Sequence, residues 1–147
     1  MGTKNPDVTI TLSVNTGDLK SDRNGQQNIK NYISFSDTLG DSDDTKGDPT
    51  TFDTIVNSNA EIVWHAQSGD GVDSVHITDI FINTGQPDPF STAPKELTDG
   101  SEDYYAVAKD VDETGNITSE YSISFYINGD SGNKYTVDPK LQIRKRT

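Results

Sequence analysis

The chain contains no cysteine, and its one methionine is Met1. Disulfides, thiol catalysis, zinc–thiolate centres and thiolate copper sites are thereby excluded. Histidine is nearly absent too, with only His65 and His76. Glutamate is scarce, 5 residues against 19 aspartates. Aspartate favours turns and glutamate favours helices, so the acidity is mainly a loop signature. No sustained 3.6-residue periodicity occurs, so no long helix is expected. No apolar run reaches membrane-spanning length, so membrane insertion is not expected. There is no phosphate-binding glycine loop and no G-x-S-x-G nucleophile elbow. The opening residues, Met1-Gly-Thr-Lys-Asn-Pro6, carry no apolar h-region, so no signal peptide is expected. The compartment stays open between cytoplasmic and exported after processing.

What is present is polar and acidic. Hydrophobic residues make up 30% of the chain, mean hydropathy is -0.72 and formal net charge is -12. Such values border on those of disordered chains. The apolar residues, however, are gathered into alternating runs, which points to a folded β protein with long polar loops. The charge argues against nucleic acid or an anionic membrane as a partner, and it permits calcium or a basic partner. The 147 residues fit one domain, 1–147, with residues 1–6 and 145–147 as flexible ends.

The most informative stretch is Asp103 to Ile127. Tyr104, Ala106 and Ala108 alternate with Tyr105, Val107 and Lys109; further on, Tyr121, Ile123, Phe125 and Ile127 alternate with Ser122, Ser124 and Tyr126. A period of two marks half-buried strands. Between them, Asp110 to Asn116 is rich in turn formers. Val8, Ile10, Leu12 and Val14 make an earlier strand, followed by a polar loop over 16–27. Ile29 to Phe35 and Phe52 to Val56 are further strands, separated by an acidic loop over 36–51. Glu61 to Ala66 and Val72 to Asn83 read as a hairpin placing Trp64 opposite Ile77 and His65 beside His76, with a bulge near Asp79 where the phase breaks. Gly85 to Gly100, with Pro87, Pro89 and Pro94, reads as a loop. Tyr135, Val137, Leu141 and Ile143 keep one phase across Pro139, which predicts an edge position or a bend. Seven to eight strands, short turns and no helix predict an all-β, antiparallel two-sheet sandwich.

Tyr105 to Ser119, with Ala108, Asp110, Gly115, Asn116 and Thr118, resembles the penultimate-to-last strand region of bacterial immunoglobulin-like domains. The length of the chain and its later run Tyr135-Thr-Val-Asp-Pro-Lys-Leu-Gln-Ile143 look more like a cupredoxin-like sandwich. Either resemblance implies an Ig-like or cupredoxin-like architecture, bacterial in the first case. Copper would require a cysteine, so the second carries over no copper site.

Several clusters are candidates for chemistry. Asp110, Asp112 and Thr114, with Gly115, follow a D-x-D-x-x-G calcium loop, whose oxygens suit a hard cation. Tyr121 stands where an EF-hand needs a bidentate glutamate, so the alternative is a plain turn. Asp41, Asp43, Asp44 and Asp48 form a second acidic loop, with Lys46 where glycine is due. His65 and His76, paired across the hairpin with Asp73 or Asp79 nearby, could ligate zinc or copper(II). Asp130-Ser-Gly132 matches one copy of the aspartic-protease signature, which needs two. A serine triad would have to use one of the two histidines, and no serine is singled out. Trp64 belongs to the core, whereas Tyr32, Tyr104 and Tyr126 could form an exposed aromatic strip for carbohydrate. Together these features predict a non-enzymatic binding or structural module with no catalytic residues and no cofactor. A protein or carbohydrate partner is possible, and the alternative is a calcium-binding module using the Asp110–Thr118 loop.

Overall fold

The structure, a computed structural model, describes residues 6–39, 52–69, 71–98, 100–111 and 115–144. Alternation becomes strand wherever it is regular. In β1 (Val8–Val14) the four aliphatic side chains are buried, and Thr9, Thr11 and Ser13 lie on the half-exposed face. The other strands are β2 (Ile33–Asp37), β3 (Asp53–Asn57), β4 (Glu61–Ser68), β5 (Val75–Ile82) and β6 (Phe90–Glu96). They are followed by β7 (Tyr104–Ala108), β8 (Ile117–Ile127), β9 (Tyr135–Val137) and β10 (Lys140–Arg144).

The strands form two five-stranded sheets, β2-β1-β4-β7-β6 and β3-β10-β8-β5, with β9 also paired to β8. The all-β sandwich expected from the sequence is therefore present. Its pairing is mixed rather than wholly antiparallel, because β1 runs parallel to β4 and β3 runs parallel to β10. Among the described residues ten strands occur, against the seven or eight expected. The additional β6 lies in the proline-bearing stretch read as a loop. Its register against β7 shifts twice between Phe90 and Lys95, so no clean alternation marks it.

The expected hairpin of Glu61–Ala66 with Val72–Asn83 is a crossing between sheets. β4 pairs with β1 and β7, whereas β5 pairs with β8. Trp64 thus neighbours Ile10 and Tyr104, and Ile77 faces Phe125. The run from β7 to β8 likewise leaves the first sheet and enters the second. Alternation specifies which side chains turn inward, and it is silent on which strand lies alongside. The break at Asp79 is confirmed as a register shift between Ile77 and Asp79. At Pro139 the strand is interrupted without a change of register, since β9 and β10 lie along successive parts of β8 and the Pro139 carbonyl accepts from the Tyr121 N–H at 3.1 Å.

The inward faces share one continuous core. At its centre Trp64, from the first sheet, donates its indole N–H to the Tyr121 hydroxyl of the second sheet at 3.0 Å. Tyr121 and Phe90 meet the Trp64 ring edge-on, at centroid distances of 5.8 and 5.9 Å. Burial raises the Tyr121 hydroxyl far above its ordinary pKa, so it stays neutral and can accept. Phe35 stacks on Phe52 at 5.0 Å, and Thr54 donates to Asp37 at 2.7 Å. Both contacts tie β2 to the chain entering β3 at that end of the sandwich.

The polar loop after β1 contains a short helix, α1 (Thr16–Ser21), and a 3-10 turn over Ile29–Asn31. Six residues are too few to show a helical period. Asn15 caps α1 weakly, accepting from the Asp18 N–H at 3.4 Å, while Leu19 is fully buried. The helix is held mainly by Asp73. That carboxylate accepts from the Thr16 hydroxyl at 2.6 Å, the Asn128 amide at 2.8 Å and the Lys20 ammonium at 3.0 Å. These hydrogen bonds, with that from Thr16 the largest, hold the Asp73 carboxyl at about 2, below its ordinary 3.8. Asp22 is lowered for the same reason, by hydrogen bonds from Tyr32, Asn28 and the Asn24 N–H.

Two outcomes follow. Tyr121→Phe strands the Trp64 N–H in the core and is expected to cost about 1–3 kcal/mol in urea unfolding, with the far-UV spectrum unchanged. An unchanged unfolding midpoint would show that the bond contributes nothing. Asp73 has a folded-state pKa below its unfolded value, so its contribution is complete above the unfolded value and is lost as pH falls towards the folded one. The melting temperature of Asp73→Asn should therefore be lower than that of the parent near neutrality, and the gap should narrow between pH about 4 and about 2.

Candidate functional site

Both histidines engage the turn that leads into β7. His65, on β4, brings Nδ1 to 2.7 Å from an Asp103 carboxylate oxygen. His76, on β5, brings Nδ1 to 3.1 Å from Glu102. Consecutive carboxylates thus reach imidazoles on different sheets, and Glu102 itself adopts a left-handed backbone with φ +64°. Such a conformation is unfavourable for a residue with a side chain, and the two flanking contacts hold it in place. The Nε2 atom of His76 lies 2.9 Å from the Ser74 hydroxyl. The His76 ring stacks on Tyr126 at 4.9 Å. The Ser74 main chain is pinned in turn, its N–H donating to the Asn128 side-chain oxygen and its carbonyl accepting the Asn128 N–H, both at 2.9 Å.

The histidines are therefore not a side-by-side metal pair, because they sit on different sheets and each Nδ1 has its own carboxylate. Asp73 is engaged elsewhere, with α1. Among the described residues no group of three or more His, Asp or Glu side chains could hold a metal ion. Asp110 is exposed just beyond β7, while Asp112 and Thr114 lie outside the described residues. The acidic residues Asp41, Asp43, Asp44 and Asp48 lie outside them as well. Asp130 to Gly132 falls in the turn after β8. The three tyrosines proposed as a strip are not brought together. Tyr104 faces the core at 8% exposure, Tyr32 closes the 3-10 turn and bonds to Asp22, and Tyr126 lies on the second sheet.

Sequence reasoning missed Ser74, Glu102 and Asp103. Ser74 and His76 share a strand face at i and i+2, which alternation could have shown. The partnership with Glu102 required knowing that β5 leaves the sheet of β4. The connectivity Ser74–His76–Glu102 is that of a serine triad, hydroxyl to Nε2 and carboxylate to Nδ1. Its surroundings are not those of one. Ser74 is exposed, and the Glu102 side chain is 55% exposed. Water at this flank leaves developing charge in a high dielectric, where fixed dipoles stabilise it least. The arrangement is a clasp between the two sheets, with His65 held to Asp103 and His76 to Glu102.

Fold and site together define a mixed two-sheet β-sandwich closed by side-chain contacts between its layers. No family model matches the chain, and no curated protein sequence matches it. Among solved structures it is similar to the inclusion body protein PixA from Burkholderia cenocepacia. The TM-score is 0.61 over 99% of both chains, at 10% sequence identity. At that identity the likeness is one of fold, extending along the whole chain. A fluorophosphonate probe distinguishes clasp from triad. No adduct at Ser74 is expected by mass spectrometry, whereas a stoichiometric adduct abolished by Ser74→Ala would make the clasp a nucleophilic centre.

Proposed function

We propose that the chain is a non-enzymatic structural module that works by packing with other copies of itself. The observation that carries this reading is the end-to-end correspondence with an inclusion body protein, over 99% of each chain. The chemistry of the described residues supports it. Among the polar side chains with the most partners, Asp73 and the histidine clasp hold loops to sheets, and Asp22 closes the loop between α1 and β2 on itself. The Ig-like and cupredoxin-like resemblances concern architecture within this reading, and a chain without cysteine brings no thiolate for copper.

Sedimentation velocity on the purified chain over a wide concentration range tests the proposal. Reversible growth in mass with concentration, with the β-sheet circular dichroism signal retained, is expected. A chain that sediments as a single copy up to its solubility limit is not a self-packing module.

A further inference from the structure

We propose that the outer edge of β3 is a docking edge for a second copy of this chain, the two β3 strands pairing antiparallel about Ile55. This names a surface for the assembly proposed above and rests on that reading. The sheet order ends at β3, and among the described residues no strand lies on its outer side. The Phe52 carbonyl accepts from the Lys140 N–H and the Ser58 N–H donates to the Arg144 carbonyl, so even-numbered residues turn their backbone towards β10. Asp53, Ile55 and Asn57 therefore turn theirs outward, with the Asn57 carbonyl already accepting from Ala60. An unpaired edge of this kind is a template for another strand.

The other edges are protected or offer little. β6 carries Pro94, Lys95 and two register shifts, and β5 carries the break at Asp79. β2 shows solvent only Ser34 and Ser36 from its outer face. β3 has no proline, no lysine and no bulge. On it and beside it are two of the four exposed large hydrophobics among the described residues, Ile55 at 38% and Leu39 at 50%. Both line a groove of about 340 Å³ whose floor includes Val8, Val56 and Ala60.

The strand sequence, Asp53-Thr-Ile-Val-Asn57, is complementary to itself in the antiparallel sense. A two-fold axis at Ile55 sets Ile55 against Ile55 and Asp53 against Asn57, with no like charges opposed. In this register the Asn57 side chain of one copy lies opposite Asp53 of the other, a neutral amide against a carboxylate. Arg144 lies beside Asn57 on β10, so the incoming Asp53 also approaches a cation.

The test uses the full chain. Ile55→Lys opposes two cations at the axis and should abolish the dimer in sedimentation equilibrium while leaving the far-UV spectrum and melting temperature of the monomer near those of the parent. Ile55→Cys should form a disulfide-linked dimer on mild oxidation. Its α-carbons would stand about 5.5 Å apart, within disulfide reach, and the chain has no other cysteine. Phe81→Cys, exposed on β5, should not cross-link. If the parent assembles and Ile55→Lys assembles equally well, the edge is wrong and the self-packing reading survives. If the parent never assembles, both are wrong.

Discussion

One hydrogen bond sits where the two layers meet, from the Trp64 indole to the Tyr121 hydroxyl. Trp64 belongs to a strand central to the first sheet, and Tyr121 belongs to the longest strand of the second. A buried indole N–H without a partner is costly, so the two sheets have a preferred relative position. Phe90 packs on the same indole from the outermost strand of the first sheet. The one tryptophan therefore connects three strands in two layers. Everything nearer the rim, the Asp37–Thr54 contact, the Asp73 bracket and the histidine clasp, closes a sandwich whose spacing is set at this point.

The parts of this architecture legible in the sequence are those governed by local physics. Val8 to Val14 alternates and is a strand with that inward face. Trp64 on an alternating run is in the core, the phase break at Asp79 is a register shift, and the phase kept across Pro139 is one register along β8. What stayed illegible is long-range. Nearness in sequence made β4 and β5 look like partners, and the same held for β7 and β8. In each case the chain crosses from one layer to the other, because each sheet is completed by parallel pairs between distant segments. β6 was hidden by Pro94, and α1 by its brevity.

The site was less legible than the fold. His65 and His76 stood out because there are no others, but their partners, Glu102 and Asp103, come from the short turn before β7, which carries no motif. Glu102 and Asp103 matter only once β7 begins beside β4 and β5 has left for the other sheet. Their role depends on where two layers approach, which no local pattern encodes. The acidic composition, by contrast, misdirects attention towards cation loops. The carboxylates with the richest hydrogen bonding, Asp22 and Asp73, belong to neither suspected loop. They are isolated in sequence and crowded in space.

The parallel pairing of β3 with β10 also has a kinetic side. The two strands are separated by more than half the chain, and β10 lies between β3 and β8 in the second sheet. Until Lys140–Arg144 has been synthesised, both of its neighbours lack a partner along that side. β1 waits likewise for β4. Among the described residues consecutive strands pair only as β1–β2, β6–β7 and β8–β9, and the pairings that complete both sheets join distant segments, which slows the search. During synthesis the growing chain displays several open strand edges at once, a period in which copies can meet before each has closed on itself.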